Sequence, residues 1–164
     1  MTIEGDQPTT VPDEDGPSLT PEQTFALLES LAPDGTLIES SVTWRFDDKG
    51  ADRRACLEMT IVEHPERRAW IQSSGDTWFD LSIDGGFGTA VISEDATADE
   101  ARGYIADWVE MGVSYLRNGA ISSTWRFFGV PVRLIARDGR EPLRLHMDIR
   151  DELRFVFRKW PRLR

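Results

Sequence analysis

Cysteine and histidine are scarce in this chain, which has one Cys, Cys56, and two His, His64 and His146. A single thiol excludes an internal disulfide framework and makes a reducing compartment the default. With no Cys-x-x-Cys or His-Glu-x-x-His spacing, the three residues make a metal set only if distant segments converge, so neither metal nor cofactor is expected. No run reaches about eighteen apolar residues, and Met1 to Pro12 lacks the basic and apolar regions of a secretory leader. The expectation is a cytoplasmic, soluble protein without membrane association. Bases are missing altogether from residues 1–36, which carry eight acids.

That asymmetry runs through the chain. Residues 37–120 hold sixteen acids against eight bases and residues 121–164 hold five against eleven, giving a net charge of -10 over 164 residues. A negative field repels phosphate backbones and steers cationic partners, so a basic protein is favoured over nucleic acid as the partner of the whole molecule. Residues 1–19 combine Pro8, Pro12 and Pro17 with Asp6, Asp13, Glu14 and Asp15. With so little apolar surface to bury, they are expected to form a disordered acidic tail. Residues 20–164 are long enough for one domain with its own core.

The strongest organising signal lies between Thr97 and Gly119. Thr97 and Glu100 have capping-box spacing, Asp99 and Glu100 suit the positive end of a helix dipole, and Arg117 and Gly119 supply a cation and a stop. At 100° per residue, Ala101, Ile105, Trp108, Val109, Gly112, Tyr115 and Leu116 share one side, while Asp99, Asp107 and Glu110 share the other. Gly112 in the apolar arc is suited to close approach against strands. A shorter helix opens at Thr20, with Pro21 at its first position and Gln23 completing a second capping box.

Elsewhere the period is two. Ile38, Val42, Trp44 and Phe46 alternate with Glu39, Ser41, Thr43 and Arg45, and Ala55, Leu57, Met59 and Ile61 alternate with Cys56, Glu58 and Thr60. Further strands are read at 69–72, 77–84 and 89–93, and after the long helix at 122–128, 131–136, 143–150 and 153–159. Short connections favour antiparallel meanders. The fold class is α+β: a twisted antiparallel sheet of about seven to nine strands packed by one long and one short helix. Ser40 to Phe46 and Ser122 to Phe127 share Ser-Ser and Thr-Trp-Arg-Phe, each after a helix, a weak echo of an internal repeat. The order of elements has a topological likeness to bacterial secretion-chaperone and small immunity-protein folds, a resemblance of architecture that transfers no residue.

Catalytic signals are thin. Asp80, Ser82 and Asp84 match the first half of a calcium loop, but Val91 stands where the bidentate Glu belongs. Gly85, Gly86 and Gly88 lack the Lys-Ser/Thr of a phosphate cradle. His146 and Asp148 share a strand face, and with Cys56 on a neighbouring strand they would offer a hydrolytic or ligand-binding pocket inside the sheet. Arg154, Arg158, Lys159 and Trp160 have the basic and aromatic interleaving of a single-strand nucleic-acid surface.

Six tryptophans depart most from ordinary composition. Trp78 alternates with Asp80 and Ser82 and so points away from the core side of its strand, as an interface anchor would. The reading is a non-enzymatic acidic binding protein, immunity-protein-like or chaperone-like, that docks a basic protein through Trp78, Asp80, Asp84, Asp107 and Glu110. A homodimer through Trp78 or the sheet edge stays open.

Overall fold

A computed structural model describes residues 18–46, 53–93, 96–124 and 131–147. Among these, two helices and eight strands follow in the order α1 (Pro21–Leu31), β1 (Ile38–Phe46), β2 (Arg53–Ile61), β3 (His64–Ser73), β4 (Trp78–Ile83), β5 (Phe87–Ile92), α2 (Ala98–Asn118), β6 (Ile121–Thr124), β7 (Pro131–Ile135) and β8 (Leu143–Met147). All strands join one antiparallel sheet in the order β1-β2-β3-β4-β5-β8-β7-β6, and the sheet does not close. The fold is α+β. The strand expected at 153–159, the ends of those expected at 122–128 and 143–150, and the tail up to residue 17 lie outside the described residues.

Both helices begin as their sequences dictate. The Thr20 hydroxyl accepts from the Gln23 amide and the Gln23 side chain accepts from the Thr20 amide, and Thr97 and Glu100 repeat the arrangement at α2. Each box satisfies donors that the first turn cannot use internally. At its far end α2 stops on Gly119, with φ of 72°, and the Arg67 guanidinium donates to the carbonyls of Leu116 and Arg117 at 3.1 and 3.3 Å. A cation therefore meets the negative end of the helix dipole.

Both helices pack on the same face of the sheet. Ala55, Leu57, Met59, Ala69, Ile71, Phe79, Leu81 and Ile83 meet Ile105, Trp108, Val109, Gly112, Tyr115 and Leu116 in the core, and Leu28 of α1 joins them. Gly112 sets the distance of closest approach: a Cβ there would stand 2.6 Å from Met59 Cε and 3.3 Å from Ile71 Cδ1. At the sheet's outer end α1 is held by Phe25, stacked on Trp44 at 4.7 Å, and by Arg53, which lies 3.5 Å over the Trp44 ring and pairs with Glu22 at 3.0 Å. Leu19, placed by composition in the tail, is buried in this core. Its carbonyl lies so close to Gly75, where φ is 96°, that a side chain there would collide with it.

The register gives each face a definite membership, because residues directly opposite in a ladder share a face. The face away from the helices carries Thr43, Cys56, Gln72, Asp80 and Ala90 in one row and Glu58, Trp70, Ser82, Gly88 and His146 in the next. No helix among the described residues is long and apolar enough to cross a membrane.

Candidate functional site

With both helices on one side, no described element lies over the other face of the sheet. Neither helix packs on that face: α1 and α2 touch each other and share the opposite side. Trp78 sits on the uncovered face, half-buried, opposite Ile92 of β5, with the Arg54 guanidinium 4.4 Å from its ring. Such an arrangement is a cation–π contact at a partly hydrated site. Beside it the Ser82 hydroxyl donates to Asp80 at 2.6 Å.

Two hollows flank the indole. One, of about 760 Å³, is lined by Leu19, Pro21, Arg54, Asp76, Trp78 and Ile92, and the other, of about 560 Å³, by Trp78, Asp80, Ser82, Gly88, Ala90 and His146. Ile92 is 72% exposed at the rim. An aromatic wall thus stands between two hollows, with an exposed branched aliphatic beside it.

The five residues singled out by sequence occupy three separate places. Trp78 and Asp80 are adjacent on the uncovered face. Asp84 ends up elsewhere, because β4 stops at Ile83 and Gly85 and Gly86, both with φ of 78°, turn the chain within three residues. Alternation placed Asp84 beside Asp80; in the turn its carboxylate instead accepts from the Tyr115 hydroxyl of α2 and from the Arg68 amide. Burial and this contact with Asp84 push the Tyr115 phenol well above its ordinary range. Asp107 and Glu110 are exposed on the outer side of α2, where Asp107 lies 3.8 Å from Arg137. They are separated from Trp78 by the helix layer and the sheet, so they contribute to the field and not to the same contact patch.

The described residues proposed for chemistry do not converge. Cys56 and His146 share the uncovered face but stand four strand spacings apart, roughly 19 Å at about 4.8 Å per strand. The thiol is fully buried, and burial pushes it from 9.0 to about 11 despite the opposing pull of Arg45. A protonated, enclosed thiol is a poor nucleophile. Asp148 and the group Arg154, Arg158, Lys159 and Trp160 lie outside the described residues. Among the described residues no three His, Cys, Asp or Glu side chains group as metal ligands.

Sequence reasoning missed a polar cluster under the end of α2. Glu66, Arg67, Asp84, Tyr115, Asn118 and Arg133 surround a hollow of about 280 Å³. Arg67 and Arg133 take helix-face positions where alternation predicts apolar residues, and that violation was the available signal. Both are engaged: Arg67 with the helix carbonyls, and Arg133 with the Ser122 hydroxyl and the Phe87 ring. Internal bonding of this kind argues for fastening the helix, not for taking a ligand. No protein-family model, curated protein or solved structure matches the chain.

Proposed function

We propose that this protein is a small acidic binding protein that docks a basic protein partner on the uncovered sheet face, with Trp78 as the anchor and Asp80 beside it. The observation that carries the reading is the placement of Trp78: a large ring between two hollows, on the face that the described helices leave bare. The net charge of -10 supports steering of a cationic partner, and the carboxylates of α2, Asp107 and Glu110 among them, extend that field over the opposite side. A toxin-neutralising immunity protein or a dedicated secretion chaperone is the form such a binder takes in bacteria. The proposed role is non-catalytic, and the protein acts in the cytoplasm.

The test is capture from the protein's own cell lysate on immobilised full-length chain, at low and high salt, beside Trp78→Ala and Asp80→Lys. The reading expects one basic protein in stoichiometric amount, eluted by salt and lost in both variants. Retention of RNA or DNA in its place, or capture unchanged by both substitutions, overturns it.

A further inference from the structure

β1 ends the sheet. Among the described residues β2 is its sole strand neighbour, and the two pair in unbroken register over nine residues, Ile38 opposite Ile61 through Phe46 opposite Arg53. The strand contains no Pro, no Gly and no bulge, three features that spoil an edge for further pairing, and its two charges, Glu39 and Arg45, are opposite in sign. Its outer row of backbone donors and acceptors is a template for another strand.

The sequence of β1 is complementary to itself. Laid antiparallel on a second copy with Val42 opposite Val42, the strand brings Ile38 opposite Phe46, Glu39 opposite Arg45, Ser40 opposite Trp44 and Ser41 opposite Thr43. By two-fold symmetry each of these pairs occurs twice. This register alone uses all nine residues. Because every pair joins positions of equal parity, the helix faces of both copies lie on the same side.

Three observations fit that pairing. Glu39 and Arg45, both exposed, become opposite charges across a ladder, where such pairs stabilise and like charges destabilise. Within one copy Arg45 stands directly opposite Arg54, an unfavourable juxtaposition, and Glu39 of the second copy would sit on its other side. Phe46 is 62% exposed at the end of the strand, and Ile38 of the second copy would cover it.

We infer that the β1 edge is a homodimer interface, in which two copies pair β1 with β1 about Val42 and join their eight described strands each into one continuous sheet. The inference does not depend on the docking face of Trp78, which stays free on each copy. It commits to a particular register, and that register can be tested with charges.

The experiment measures the mass of the full chain in solution by light scattering across a concentration series, with circular dichroism confirming the fold. The wild type is expected at twice the chain mass. Glu39→Arg sets Arg opposite Arg45 twice, and Arg45→Glu sets Glu opposite Glu39 twice, so each variant alone is expected at the mass of one chain. Mixing the two variants restores both opposite-charge pairs and is expected to double the mass again, as is the double swap Glu39→Arg/Arg45→Glu in one chain. Recovery on mixing separates an interface effect from misfolding, since unfolded chains would not recombine. A wild type that stays at one chain mass at every concentration overturns the inference, as does a dimer that survives either single substitution or a mixture that does not reassociate.

Discussion

Gly103 and Gly112 lie nine residues apart on α2 and are expected to answer the same substitution in opposite ways. Nothing stands within 4 Å of the place a Cβ would take at Gly103, so Gly103→Ala removes backbone entropy from the unfolded chain without a steric cost. A gain of about 0.5–1 kcal/mol is expected, read as a rise of about 2 °C in Tm. At Gly112 the same propensity gain is outweighed by Met59 Cε and Ile71 Cδ1, and Gly112→Ala is expected to cost about 1 kcal/mol net. Shortening the obstacle should recover part of that. In a double-mutant cycle with Met59→Val, a favourable coupling of about 1 kcal/mol is expected, and additivity would show that Met59 is not what limits the approach.

Cys56 makes a second residue-scale prediction. The folded state keeps the thiol proton up to about pH 11, whereas the unfolded chain releases it near 9.0, so its pKa is raised on folding. The associated stabilisation is complete below pH 9 and is lost as pH climbs through 11. Tyr115, raised by burial and its bond to Asp84, adds to the same alkaline loss. Thermal melts from pH 7 to 11 should show Tm falling above pH 9, with a shallower fall between pH 9 and 11 in Cys56→Ala. Equal slopes would remove Cys56 as the cause.

At the level of elements, α2 is fastened at both ends by side chains. Thr97→Ala removes an acceptor for the Glu100 amide and is expected to cost about 1 kcal/mol. Arg67→Met keeps most of the stem and loses the bonds to the Leu116 and Arg117 carbonyls, for about 1–2 kcal/mol by denaturant titration. The two ends differed in how far sequence revealed them. The capping box is local, four residues long, and the helix begins where Thr97 and Glu100 say. Arg67 is forty-nine positions from Leu116, and no local pattern connects them.

The same residue explains why β3 is longer than alternation suggests. The strand starts at His64 and not at Ala69, because its first half puts Arg67 on the helix face at the place of an apolar residue. β5 likewise starts at Phe87, since Gly85 and Gly86 turn the chain in fewer residues than a glycine-rich stretch implies. In β1, β2 and β4 the helix-face positions are apolar apart from Ser40 and Arg53, and there the period of two located the strands closely.

For the whole molecule, sequence indicated two meanders joined by a long helix but not how they meet. β8, the last described strand, lies against β5 through Phe87 opposite Met147 and Gly88 opposite His146, and β6 takes the far edge. Either edge of the second meander satisfies the same alternation, so the choice belongs to tertiary packing. The two strands that share Ser-Ser-x-Thr or Ser-Ser-Thr after a helix, β1 and β6, thereby stand at opposite ends of the sheet. The Trp125 to Phe127 part of that echo lies outside the described residues. At this scale the charge of -10 also makes a prediction: self-repulsion opposes compaction, so Tm should rise as sodium chloride is added at neutral pH and screens it. A falling Tm would mean that attractive pairs such as Arg53 with Glu22 outweigh the net repulsion.

The enclosed position of Cys56 has a practical consequence for spectroscopy. The sole native thiol is shielded from solvent, so maleimide dyes have no competing target on the folded surface. A cysteine substituted for exposed Ser41 would therefore carry the only attached dye. Energy transfer between differently labelled chains would then report directly how near two such edges come.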